Sequence, residues 1–104
     1  MTNAEYTCRA DVFDDAERLR WQALRNTMHA AREEACELPD GYAVRFRSDL
    51  RLFIQIAEWI TLDRRCCMFL AYGLDWSQDG GVQLRLTGGL GVKAFLAKEL
   101  APSS

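Results

Sequence analysis

The amino-acid sequence predicts an α+β fold: a two-layer sandwich, in the order β-α-β-α-β-β-α, with helices on one face of a four-stranded sheet. Three observations lead there. Some stretches alternate apolar and polar residues, whereas others carry apolar residues at steps of three and four. The joints between them are short and rich in Gly, Pro, Asp or Ser. With 104 residues, 49% of them apolar and 11% aromatic, the chain fills one hydrophobic core, so residues 1–104 form a single domain. Residues 101–104 make a frayed tail.

Residues 6–13 alternate, with Tyr6, Cys8, Ala10 and Val12 on one face and Thr7, Arg9 and Asp11 on the other, as in a half-buried strand whose inward side holds Cys8. Asp14 then caps a helix, and Glu17 three residues on completes a capping box. The expected helix carries a stripe of Trp21, Leu24, Met28, Ala31, Ala35 and Leu38, until Pro39-Asp40-Gly41 turns the chain. His29 and Cys36 fall off that stripe and read as solvated and incidental.

Tyr42, Val44 and Phe46 alternate with Ala43, Arg45 and Arg47 in the clearest strand of the sequence. Ser48 or Asp49 starts a second helix that runs to the cysteine pair. Beyond it, Leu70, Tyr72, Leu74 and Trp76 share one strand face, and Ser77-Gln78-Asp79-Gly80-Gly81 forms a loop of hairpin length. Val82, Leu84 and Leu86 point inward from the last strand, and Val92, Phe95, Leu96 and Leu100 form a short final helix. Trp21, Trp59 and Trp76 are expected in the core. The open sheet face would carry Thr7, Arg9, Arg45, Arg47, Gln83 and Arg85, arginines best explained by solvation, and it offers a surface for a homodimer.

Net charge is −2, from 13 basic and 15 acidic residues that are interleaved. No basic stripe argues for nucleic acid, and no basic amphipathic helix for a membrane surface. The longest apolar stretch is broken by Asp63, Arg64 and Arg65, which leaves no membrane span. Residues 1–6 have neither the charged nor the apolar region of a signal peptide, so the expected location is cytoplasmic, where thiols stay reduced. Four cysteines then read as metal, redox or packing residues rather than a disulfide framework.

The chemistry concentrates at Asp63-Arg64-Arg65-Cys66-Cys67-Met68-Phe69. At about 100° per residue, Phe53, Ile56, Ile60 and Cys67 share a helix face, with Asp63 one turn before Cys67 and Cys66 toward the boundary near Trp59 and Leu62. Adjacent helical thiols diverge, so both reach one ion only if the helix ends there, and the change to alternation after Met68 indicates that it does. Cys66, Cys67 and inward-facing Cys8 would then form a two- or three-thiolate site for Hg²⁺, As(III), Cu(I) or Zn²⁺. Structural zinc fits less well, because C-x₂-C spacing and a fourth ligand are missing. The partial negative charge of a helix C-terminus favours a bound cation and disfavours a bare thiolate.

Other readings stay open. Free cysteines are small hydrophobes, and on that reading the pair only packs against the core, in an interaction domain without chemistry. A strained vicinal disulfide between Cys66 and Cys67 is the redox alternative. Asp63 and Arg64 would form an ion pair at the core edge. Otherwise Asp63 serves as proton donor beside Cys67, as cleavage of a carbon–metal bond needs, and Arg64 keeps the thiol ionised.

The segments Asp63-Arg64-Arg65-Cys66-Cys67-Met68-Phe69-Leu70 and Leu84-Arg85-Leu86-Thr87-Gly88-Gly89-Leu90-Gly91-Val92-Lys93-Ala94-Phe95-Leu96 resemble a largely uncharacterised family of short bacterial proteins. Its pattern is an acidic residue, Arg, any residue, Cys-Cys, usually Pro, then Phe, followed later by Leu-Thr-Gly-Pro and a Gly-Val-Lys helix. An N-terminal cysteine of that family is matched by Cys8. Met68 and Gly89 stand where the family usually has proline, and Met68 would let the second helix run further. The resemblance carries no established activity and directs attention to Cys8, Cys66 and Cys67. Together these readings predict a small protein that binds a thiophilic metal or metalloid, with Asp63 and Arg64 behind the thiols and a metal-handling protein as partner. The alternative is a thiol enzyme using Cys67 with Asp63, for example in organomercurial cleavage or redox exchange.

Overall fold

The computed structural model describes residues 9–78 and 80–100. Its elements are a 3-10 turn, Ala10–Val12, then α1 (Asp15–Ala31), β1 (Arg32–Leu38), β2 (Gly41–Phe46), α2 (Leu50–Cys66), β3 (Leu70–Trp76), β4 (Val82–Gly88) and α3 (Val92–Leu100). The four strands form one sheet in the order β1-β2-β4-β3, with every neighbouring pair antiparallel. The α+β sandwich is as expected. Its order is α-β-β-α-β-β-α, and the difference lies at the N-terminal side.

Two local corrections account for that difference. Residues 10–12 form a 3-10 turn instead of continuing a strand, and Phe13 tucks in at 4% exposure. The rest of the expected first strand, with Tyr6, Thr7 and Cys8, lies outside the described residues. The fourth strand comes instead from residues 32–38, expected as the end of a long helix. α1 stops at Ala31, and Arg32 turns to extended backbone (φ −69°, ψ 141°). β1 shows half-buried residues at Arg32, Ala35 and Leu38, a spacing of three that imitates a helix stripe. A register irregularity between Arg32 and Glu34 accounts for the first step, because an extra residue in an edge strand resets which side chains face inward; from Ala35 to Leu38 the pairing is regular, and Leu38 is half-buried at the strand's end. Cross-strand pairing of Ala35 with Val44 and of Glu37 with Tyr42 outweighs the helix propensity of Glu33, Glu34, Ala35 and Glu37.

The other elements follow the expected pattern. Asp14 accepts from the Glu17 N–H at 2.8 Å while Glu17 accepts from the Asp14 N–H at 3.0 Å, closing the capping box. Asp49, rather than Ser48, caps α2 by accepting from the Leu52 N–H. The core joins Leu24 and Met28 of α1, Leu52, Ile56 and Trp59 of α2, and Val92 and Leu96 of α3 to Tyr42, Val44, Phe46, Val82, Leu84 and Leu86 of the sheet. Trp76 is 40% exposed; it stacks on Phe53 and donates to the Ser48 hydroxyl, so it seals the edge of the core rather than filling it. On the opposite sheet face Arg45 and Gln83 are exposed, and Arg85 pairs with Asp75 across the guanidinium's path over Gly73. Arg9 and Arg47 lie outside the strands and pair with Asp11 and Asp49. No helix among the described residues is long and apolar enough to cross a membrane.

Candidate metal centre

The site forms where α2 ends against the 3-10 turn. The buried stripe of α2 is Leu52, Ile56, Trp59, Asp63 and Cys66, at steps of four and three. Cys66 is therefore on the buried face at 3% exposure, not at its boundary, while Phe53 and Ile60 are only half-buried. The helix ends at Cys66, and Cys67 is its cap, with φ −122° and ψ 67°. The Cys67 N–H still donates to the Asp63 carbonyl at 2.8 Å, and the Leu70 N–H donates to the Cys67 carbonyl at 3.2 Å as β3 begins. This departure from helical geometry turns the two side chains toward each other. Their sulfurs stand 3.6 Å apart, as the expected junction requires. Met68 does not prolong the helix and is 83% exposed.

Asp63 joins the pair. One ligand atom each from Asp63, Cys66 and Cys67 lie within 4.8 Å of one another, and all three residues are buried. The Cys66 thiol points at Asp63 Oδ1 from 3.8 Å, and Cys67 Sγ lies 4.0 Å from the same oxygen. Trp21 Nε1 of α1 donates to Asp63 Oδ1 at 2.9 Å, and the Tyr72 hydroxyl of β3 donates to Oδ2 at 2.5 Å. The carboxylate thus ties α1, α2 and β3 together. The expected partner, Arg64, is instead exposed. Arg65 is the arginine that braces the site, pairing with Glu17 at 2.8 Å and lying 5.3 Å from the centre of the Phe13 ring. Phe13 covers both cysteines with Trp21, Leu62, Phe69 and Leu70, and the Arg9 N–H donates to the Cys66 carbonyl at 3.0 Å.

Burial sets the protonation of the cluster. It raises the Asp63 carboxyl above its ordinary range, against the donors from Tyr72, Trp21 and Cys66. Burial and the neighbouring Asp63 push the Cys66 thiol up to about 12. Burial and Asp63 also raise Tyr72, which keeps its hydroxyl a donor. Cys66 is therefore a poor free nucleophile at neutral pH, and a cation that displaces its proton would gain a strong soft ligand.

The cysteines differ in state. Cys36 is free and exposed on the outer face of β1, away from the site, and Cys66 is free and buried. Cys67 is held in a disulfide. Its partner is neither of those two, so no vicinal Cys66–Cys67 bond forms, and the expectation of reduced thiols fails at this position. Cys8, expected as a ligand, lies outside the described residues. Trp21 and Tyr72 are the site residues that sequence reasoning missed. Both carry a polar tip on an apolar body, but nothing in their spacing marks Asp63 as the shared acceptor. A comparison with protein-family models, with curated proteins and with solved structures finds no match to the chain.

Proposed function

We propose that the chain, with its thiols reduced, binds a thiophilic metal or metalloid through Cys66, Cys67 and Cys8, with Asp63 beside them. The observation that carries this reading is the convergence of Asp63, Cys66 and Cys67, ligand atoms within 4.8 Å, in a buried place at a helix C-terminus. A sulfur separation of 3.6 Å suits two thiolates on one ion, since metal–sulfur bonds of about 2.3 Å put bound sulfurs roughly 3.5–4 Å apart. Cys8 is the third ligand in this reading. Soft thiolates favour Hg²⁺, As(III) or Cu(I), with Zn²⁺ drawing on the Asp63 carboxylate. The resemblance to the uncharacterised bacterial family, a cytoplasmic location and a metal-handling partner belong to the same proposal.

The test is titration of the reduced protein with Hg²⁺, As(III), Cu(I) and Zn²⁺, followed by thiolate charge-transfer absorbance. Cys66→Ser and Cys67→Ser should each lose most of the affinity, and Cys36→Ser should keep it. A wild type that binds none of the four better than the Cys66→Ser/Cys67→Ser double variant ends the reading.

A second reading rests on Asp63 alone. A carboxyl raised by burial and 4.0 Å from Cys67 Sγ is placed to hold a proton for a carbon–mercury bond. The proton would go to carbon, the bonding pair would become the new C–H bond, and mercury would remain on the thiolates. Release of hydrocarbon from an organomercurial, lost in Asp63→Asn while Hg²⁺ still binds, separates this enzyme from a binding protein.

A further inference from the structure

We propose that the thiol centre takes arsenic(III) already carrying one apolar organic group, an arylarsonous acid, with the aryl ring seated in the cavity that the centre borders. The inference rests on the reading of Cys66 and Cys67 as ligands and names the substrate class of that same site. A cavity of about 520 Å³ is lined by residues of α1, α2, α3 and the inner sheet face, within the roughly 300–1,000 Å³ of small-molecule sites. Met28, Phe46, Leu84 and Leu96 make its wall apolar, and Asp63 and Cys67 belong to the same wall. A bare ion held by side-chain atoms has no use for such a space. A ligand with an apolar arm fills it and displaces water from the wall.

Valence selects arsenic among thiophilic ligands with such an arm. Arsenic(III) makes three covalent bonds, and among the described residues two sulfurs converge, 3.6 Å apart, beside one carboxylate. Two sulfurs and one carbon complete such an arsenic without a third cysteine. An arylmercury cation is complete with one thiolate and would leave the second sulfur idle. In the reduced chain the step is a condensation. Both As–OH bonds break, two As–S bonds form, and each thiol proton leaves with a hydroxyl group as water. Arsenic stays trivalent, so no oxidant or reductant enters. The product is uncharged, as its place demands: Cys66 and Cys67 are 3% and 0% exposed, and burying a charge there is costly.

The experiment titrates the reduced full chain with phenylarsonous acid, methylarsonous acid and arsenite. Each competes with dithiothreitol, so that intrinsic arsenic–sulfur strength cancels, and intact mass and alkylation mapping follow the adducts. The phenyl compound should bind as one equivalent and protect Cys66 and Cys67, but not Cys36, from alkylation. It should exceed the methyl compound by at least about tenfold, from the extra apolar surface it buries. Cys8→Ser should keep the phenyl affinity, because carbon fills the third bond. Leu96→Trp and Met28→Trp each fill part of the cavity; whichever keeps the folded spectrum should lose the phenyl advantage and keep methyl binding. Equal binding of phenyl and methyl overturns the inference, as does a folded cavity variant that keeps the advantage or a phenyl adduct that leaves Cys66 or Cys67 open to alkylation. Arsenite binding in those cases leaves the ligand reading of the thiols intact. Failure of all three arsenicals together with Hg²⁺, Cu(I) and Zn²⁺ ends that reading itself.

Discussion

Replacing Tyr72 by Phe removes one oxygen from the wall of the thiol site and leaves the rest of the side chain in place. The ring meets Trp59 edge-on at 6.0 Å between centroids, and phenylalanine keeps that contact. What goes is the hydroxyl donated to Oδ2 of Asp63, a carboxylate only 3% exposed. A hydrogen bond to a charged group contributes about 1.5–3 kcal/mol, and no water replaces it easily in a buried place, so a loss of about 2 kcal/mol is expected. Urea unfolding of wild type, Tyr72→Phe, Asp63→Asn and the double variant measures both the loss and its coupling. The pH dependence adds a second reading of the same contact. Because burial raises Asp63 above its unfolded value of 3.8, its contribution to stability grows as pH falls through the folded value toward 3.8. Tyr72 opposes that rise, so Tyr72→Phe should start the gain at a higher pH. A Tyr72→Phe loss below about 0.5 kcal/mol, or an equal loss in the Asp63→Asn background, refutes the claim that this carboxylate joins the elements.

Three other outcomes follow from the same geometry. Glu17 is held below its ordinary value by Arg65 and the Asp14 N–H; the stability it adds is present above 4.5 and lost as pH falls through its lower folded value, so wild type should exceed Glu17→Gln near neutral pH and converge with it in acid melts. Metal affinity should climb with pH by about tenfold per unit for each proton released, because the Cys66 thiol lies at about 12 and must ionise to bind; competition titrations from pH 6 to 8 measure the slope. Protein kept oxidised should bind Hg²⁺ weakly at this site and gain affinity on phosphine reduction, since the Cys67 sulfur is otherwise occupied; mass spectrometry and titration of both forms decide it.

Most of the fold was legible because its signals are local. Asp14 with Glu17, Asp49 before the second helix and the alternation from Tyr42 to Phe46 each act within a few residues. β1 was not legible for a physical reason. Residues 32–38 are rich in good helix formers, and half-buried positions fall at every third residue of this edge strand. Only the partner strand distinguishes that pattern from a helix, and β2 begins after the turn at Pro39.

The thiol site divides along the same line. Convergence of Cys66 and Cys67 could be argued from the helix ending between a 3.6-residue period and a two-residue one, and their sulfurs do meet at 3.6 Å. The partner of Asp63 could not be found that way. Sequence proximity favoured Arg64, yet a guanidinium one residue further along a helix points to solvent when Asp63 points inward. The carboxylate is met instead by Trp21 and Tyr72, from elements 42 and 9 residues away. These neutral donors leave its burial largely uncompensated, which raises it and, through it, the adjoining Cys66 thiol. A cationic neighbour would have done the opposite and made a reactive thiolate. Arg25 does lower Asp63, but as the smallest of the opposing causes, so burial prevails there and at Cys66.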